Sequence, residues 1–424
     1  MGSSHFKNGA YQKTVLKNGL RVITEKMPSV RSLSIGVWID VGSRNEKAHE
    51  NGLSHFIEHM VFKGTKNRNV KQIAASLESL GGALNGFTSR EHTCFVARVL
   101  DDFLEAAVDV LADLSCNAVF APANIRREGM VICEEIKESL DNPTERVHDL
   151  FSETFWGNDP LGQPIMGNCE IISNMSRHLM LDFYRRYYVS RAVVIAACGA
   201  ISHQHLLKLV KEKFYFSEQP PLSEAPARRS KENQIHLVRD KNQQTHMCLG
   251  FPGIAYTDPW KISAQALNSY LGDGMSSVLF QKIREEKGLA YSVYSYNDIY
   301  RDCGIFGIYL GTDDKKLEQA FDIIMKELNR VRKKRITSAE LAQVKAQMRG
   351  HLILSHESPT GRMNRIARQE LMEGTYHSLK KIIHKINQVT EKDILEAANL
   401  ILDESKMAVT ILGPVKKEAI RNVG

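Results

Sequence analysis

Residues Ser217 to Asn233 read SEQPPLSEAPARRSKEN, with three of the chain's twelve prolines and almost no large apolar side chain. Proline removes amide donors, and a stretch this polar cannot pack as part of a core, so it reads as a linker. What lies on either side of it decides the fold. Upstream, Tyr11 to Met27 reads as two strands turning at Lys17-Asn18-Gly19, because Asn-Gly favours a tight hairpin turn. Ser32 to Val41 (SLSIGVWIDV) alternates like a strand with one buried face. Amphipathic helices follow over Gly52 to Phe62 and Val70 to Leu80, the second stopped by Gly81-Gly82. Two strands, Ala83 to Phe87 and Thr93 to Val99, lead into a helical region from Asp101 to about Trp156, broken near Ala121-Pro122 and Asn142-Pro143. A helix over Met175 to Tyr188, a strand over Arg191 to Cys198 and a helix over Ser202 to Phe214 complete this half.

Downstream the order recurs. A strand (His246 to Phe251) precedes helices at Trp260 to Leu271 and Val278 to Glu286. A strand pair (Tyr291 to Tyr296, Gly304 to Leu310) precedes long helices from Asp313 to about Glu373, then a helix (Glu391 to Leu402) and a closing strand (Met407 to Leu412). The pattern predicts an α+β fold of two copies, residues 1–216 and 234–424, joined by the linker 217–233.

With 43% hydrophobic and 25% charged residues over 424 positions, the chain has apolar mass for more than one core, which excludes disorder or coiled coil as a description of the whole. Its longest nearly uncharged apolar run, Ala192 to Ile201, is too short to span a bilayer, so no membrane association is expected. The excess of 56 basic over 49 acidic residues is spread along the chain, and no nucleic-acid-binding module is visible. Seven cysteines, an odd number with no two within four residues, read as buried thiols. With no apolar block in the first 25 residues, this points to the cytoplasm, or to an organelle matrix for a protein stripped of its presequence.

The chemistry concentrates in His55-Phe56-Ile57-Glu58-His59. On a helix, residues four apart lie about 40° apart and one turn above one another. Both imidazoles therefore converge on one ion about 2 Å from each nitrogen, the distance zinc requires. Glu58 falls on the same side, placed to address a water on that ion without ligating it. The plainer reading is a surface helix with two histidines and a salt-bridging glutamate. His49, His203 and His205 read as capping or surface residues. A catalytic zinc with two nitrogen ligands wants one more protein ligand, often a carboxylate. Among Glu128, Glu134, Glu135 and Glu138, the seven-residue spacing puts Glu128 and Glu135 on one face with Val131 and Ile132, and Glu134 and Glu138 on the wet side. Periodicity favours Glu135 as ligand with Glu128 behind it; a solvated charged face accounts for the same pattern.

Three strings carry a resemblance that extends over essentially the whole chain. S-H-F-I-E-H-M-V-F-K-G-T from Ser54, L-G-G-x-L-N-G-F-T-S-R-E-H-T from Leu80 and R-E-x-M-V-I-C-E-E-I from Arg127 resemble the pitrilysin-type inverzincin metallopeptidases. The nearest branch is the bacterial zinc peptidases related to the β-subunit of the mitochondrial processing peptidase. The resemblance implies a third zinc ligand about 76 residues past the second histidine, which falls on Glu135, and a supporting acid on Glu128. It also implies an Arg and a Tyr seven residues apart, matched by Arg284 and Tyr291 within Ile283 to Tyr291 (IREEKGLAY). Read alone those two are a helix-end arginine and a strand tyrosine. Asn85 matches a strand that pairs with substrate backbone, although Gly86 stands where the family commonly has alanine.

The expected activity is zinc-dependent endopeptidase, one Zn²⁺ per chain held by His55, His59 and Glu135, with Glu58 as general base. Peptide substrates would be bound by Asn85, Arg284 and Tyr291. At half the length of single-chain family members, the chain would supply half of a clamshell and close its chamber as a homodimer, Arg284 and Tyr291 coming from the partner subunit. The rival reading is a catalytically silent scaffold or partner subunit of the same fold.

Overall fold

The computed structural model of the chain describes residues 11–220, 226–227, 229 and 234–415, so the linker lies largely outside the described residues. The chain forms two compact α+β units. The first comprises residues 1–136, 164–225 and 353–378; the second comprises 137–163, 226–352 and 379–424.

The sheet of the first unit contains β1 (Tyr11–Val15), β2 (Arg21–Lys26), β3 (Ser32–Ile39), β4 (Ala83–Thr88), β5 (Thr93–Leu100) and β6 (Val193–Gly199), in the order β1-β2-β6-β3-β5-β4. Only β2 and β6 run parallel. In the second unit β7 (Gln234–Arg239), β8 (Thr245–Pro252), β9 (Ala290–Ile299), β10 (Gly304–Thr312) and β11 (Ala408–Gly413) are ordered β7-β11-β8-β10-β9, again with one parallel pair, β7 and β11. Laid side by side, β2-β6-β3-β5-β4 and β7-β11-β8-β10-β9 are the same arrangement. The first unit adds β1 at its edge.

Strands buried on both faces read as continuous apolar runs, as β6 (VVIAACG) does. On one face Leu33, Ile35, Val37 and Ile39 of β3 join the main core with the helices α1 (Leu53–Val61), α2 (Val70–Glu78) and α3 (Leu104–Asn117). On the other, Trp38, Cys94, Val194 and Ala196 pack against Met363, Ile366, Ala367 and Leu371 of the helix Pro359–Glu373. Each fully buried Met, Ile or Leu there contributes about 1.5–3 kcal/mol. Charge seals the rim of that face: Arg362 and Arg365 donate to Glu25 at 2.8 and 2.6 Å, and Lys13 donates to Glu370 at 2.7 Å.

The second unit repeats the device. The helix α5 (Pro143–Trp156) sets Val147, Phe151 and Phe155 against Cys248, Ile305, Tyr309, Ala408 and Leu412. Each sheet is thus covered by a helix from the far side of the linker, whereas the sequence pattern places a single division at 217–233. An apolar stripe specifies that a helix face must be buried, not which sheet buries it.

The breaks expected at Pro122 and Pro143 separate α3, α4 (Pro122–Asp141) and α5. Strand β7 and the helices Cys169–Ser173 and Leu379–Gln388 have no counterpart in the sequence reading. The helix expected over Val278 to Glu286 is present and is a π-helix over Phe280–Glu285. Three of the seven cysteines are buried and four half-buried. No helix among the described residues is long and apolar enough to cross a membrane.

Candidate metal centre

Leu53, Phe56, Ile57, Met60 and Val61 of α1 face the core, at the spacing of one helical stripe. That leaves His55, Glu58 and His59 together on the half-buried opposite side. The two imidazole centroids are 4.5 Å apart with their planes at 63°, and ligand atoms of His55, Glu58 and His59 all lie within 4.8 Å of one another.

Helix α4 supplies the acids. Ile125, Glu128, Ile132 and Ile136 form its buried stripe, while Glu134 and Glu138 are exposed. Val131, expected on the inner face, is 43% exposed, because the stripe turns away from it one residue before Ile132. His59 Nδ1 lies 2.9 Å from Glu128 Oε1, and Lys63 Nζ donates to Glu128 Oε2 at 2.9 Å. Burial opposes the charge on Glu128, yet these two donors hold its carboxyl below the usual range. An ionised carboxylate only accepts, so Nδ1 of His59 carries a proton, and in the neutral ring Nε2 presents its lone pair.

That lone pair faces Glu135 Oε2 at 3.5 Å. Two acceptors at this separation repel unless a proton or a metal cation lies between them. Ligand atoms each about 2.0–2.2 Å from a tetrahedral zinc are themselves roughly 3.4 Å apart, so the gap suits that ion. Three carboxyls, Glu58, Glu128 and Glu135, surround this spot, with the Lys63 ammonium paired to one of them. His55 Nδ1 is buried without a hydrogen-bond partner among the described residues, the kind of orphaned atom a bound ion or water satisfies.

Electrostatics divides the two rings. Burial, then the neighbouring His59, lowers His55 to about 4, so it stays neutral as a ligand must. Burial also opposes a charged His59, but the Glu128 hydrogen bond and the Glu135 and Glu58 carboxylates outweigh it and raise that ring. The site therefore draws positive charge to the His59–Glu135 side. Burial raises Glu58, against the pull of His59 and a 3.5 Å hydrogen bond from Thr88 Oγ1.

Asn85 is exposed on β4, which among the described residues pairs only with β5. Gly86 has a use beyond loosening the strand: a Cβ there would stand 2.7 Å from Glu58 Oε1 and 3.1 Å from Phe62 Cε2. Its bare Cα lets the Glu58 carboxylate rest against the edge strand. Arg284 and Tyr291 belong to the second unit. There the guanidinium of Arg284 sits 4.7 Å from the Phe280 ring centroid and 4.8 Å from that of Tyr291, which is 76% exposed. Lys63 and Thr88 escaped the sequence reading, although Lys63 stands four residues past His59. His49 is exposed, as expected, but His203 is buried between the hydroxyls of Thr14 and Thr24 at 2.8 and 2.9 Å.

Comparison with known proteins bears out the family resemblance. A family model described as Insulinase (Peptidase family M16) matches residues 21–168, and one described as Peptidase M16 inactive domain matches residues 174–348. The chain belongs to the M16 peptidase family. This M16 chain is 39% identical over 399 residues to an uncharacterised zinc protease of Bacillus subtilis, covering 94% of this chain and 97% of that one. It is 36% identical over 422 residues to one of Streptomyces coelicolor, covering 97% and 92%. A protease from Helicobacter pylori has the same fold, with a TM-score of 0.87 at 22% identity over 95% of the M16 chain and 99% of its own.

Proposed function

We propose that this M16 chain is a zinc-dependent endopeptidase acting on short or unfolded peptides. The observation that carries the reading is the His59 ring, proton-locked by Glu128 on one nitrogen and facing Glu135 across 3.5 Å on the other. His55, His59 and Glu135 would hold one zinc per chain. When bound there, zinc would supply a water with its pKa lowered towards about 7 and would polarise the scissile carbonyl. Glu58 accepts that water's proton on its carboxylate and passes it to the leaving amine, a role its burial favours by raising its basicity. The β4 edge around Asn85 holds the peptide extended by strand addition.

In this reading Tyr291 and Arg284 donate to the oxyanion and steady the peptide. They would come from a second subunit, and a homodimer suffices because each copy carries both the metal motif and the Arg/Tyr pair. Seven cysteines with no disulfide among the described residues fit work in a reducing compartment such as the cytoplasm.

Cleavage of a fluorogenic peptide, abolished by a chelator and restored by zinc, is the expected result. Cleavage that survives the chelator would overturn the metal assignment, and zinc uptake without any cleavage would favour the scaffold reading. Mixing Glu58→Gln chains with Arg284→Ala chains, each inactive alone, should recover part of the activity. No recovery in mixed dimers argues against completion of the site by a second copy.

A further inference from the structure

Helix α1, which presents both histidines and Glu58, begins without a capping side chain of its own. Its N-cap is Gly52, with φ of +90° and no side-chain cap. A Cβ there would also meet the Met166 carbonyl oxygen at 2.5 Å. The usual Ser, Thr, Asp or Asn is therefore barred, and the first amides of the helix need an acceptor from elsewhere. Glu46, six residues upstream, supplies it. Gly52 N–H donates to Glu46 Oε2 at 2.8 Å and Ser54 N–H donates to Oε1 at 2.6 Å. Glu46 is 4% exposed, and Asn51 Nδ2 reaches the same carboxylate at 3.4 Å.

The loop that carries this carboxylate is itself pinned. Arg44 donates to Glu91 at 2.7 Å, both buried, Tyr187 donates to the Asn45 carbonyl at 2.9 Å, and Glu50 is paired with Arg186. Burial pushes the Glu46 carboxyl up to about 8 against the pull of the Ser54 and Gly52 donors. The fold thus keeps an acid where burying it is costly.

We infer that Glu46 is the positioning residue of α1, capping its first turn and thereby fixing the direction in which His55 faces. His55 is the third residue of the helix, inside the turn that frays when a cap is lost. His59, a turn later, is held independently by Glu128. Removing the cap should therefore loosen one histidine and spare the other. The claim about the cap stands on the hydrogen bonds; its consequence for the metal rests on the zinc-peptidase reading.

The test compares Glu46→Gln and Glu46→Ala with Glu50→Gln, which cuts an ion pair of the same loop without touching α1. Zinc affinity is read by competition with a chromogenic chelator, and amide exchange is read over residues 53–59. Both Glu46 variants should bind zinc about 10–100-fold more weakly and exchange the first-turn amides faster, with Glu50→Gln close to the parent. Affinity and exchange unchanged in Glu46→Gln, or an equal loss in Glu50→Gln, would overturn the inference. Should Glu46→Ala not fold, the near-isosteric Gln variant decides alone. If the parent takes up no zinc, the peptidase reading fails while faster exchange in Glu46→Gln still upholds the cap and unchanged exchange sinks it.

Discussion

Helix α1 and the helix Lys261–Gly272 hold corresponding places, each following the strand at the middle of its sheet order. The first carries His55, Glu58 and His59; the second (KISAQALNSYLG) carries neither histidine nor acid. Its Tyr270 hydroxyl donates instead to Glu340 at 2.9 Å and is joined by Arg330, while Arg330 and Lys282 both pair with the buried Glu327. That network balances two acids against two bases. The first unit leaves three carboxyls facing one ammonium and a bare imidazole nitrogen. The two units share the sheet, because the apolar runs that build it are present in both. The polar side of one helix is free to differ, and among the described residues the group of side chains placed to hold a metal ion is that of the first unit.

Substitutions sharpen this contrast. The largest effect is expected for Glu58→Gln, about 10²–10⁴-fold lower kcat in a peptide-cleavage assay, with zinc retained. Zinc lost along with activity would make Glu58 a ligand and blur the division of roles. In the second unit, Tyr291→Phe should lower kcat by about 10²–10³-fold without changing zinc content. Unchanged kcat would return Tyr291 to a structural role.

Glu128→Gln frees the His59 tautomer, so zinc affinity should fall about 10–100-fold by chelator competition. Gly86→Ala crowds only the mobile end of the Glu58 side chain and places there the residue the family commonly has, so kcat and KM should both stay close to the parent; a large loss of kcat would show that the bare Cα is needed. The mirror experiment is Glu327→Gln, which should leave zinc and cleavage untouched but change acid stability. Burial works against the Glu327 charge, yet the Lys282 and Arg330 hydrogen bonds hold its carboxyl below the usual range. Its contribution is therefore complete above the unfolded carboxyl pKa and is lost as pH falls through the lower folded one. Thermal melts from pH 7 down to 3 should show a shallower acid decline in the variant than in the parent.

Much of this was legible in the sequence where a local rule operates. The 3.6-residue period put His55 and His59 on one face, and Asn-Gly and X-Pro pairs marked the hairpin and the helix breaks. Glu128 shared a face with Ile132, but periodicity alone could not tell a ligand from a solvated acid. The decisive facts, 2.9 Å to one ring nitrogen and 3.5 Å from Glu135 to the other, join helices far apart in sequence. Glu46 was illegible for a related reason: capping signatures place the acceptor at the N-cap, and here the N-cap is a glycine. The helices that cover each sheet from beyond the linker were equally hidden, since Met363, Ile366 and Leu371 announce a buried stripe without naming its partner.

The central claim is that His59 and Glu135 grip a divalent ion which Glu58 serves without holding. Zinc content by elemental analysis of the parent, Glu58→Gln and Glu135→Gln, purified side by side in equal zinc, tests it most directly. The account predicts about one zinc per chain in the first two and almost none in the third. Full zinc in Glu135→Gln, or its loss from Glu58→Gln, would contradict it.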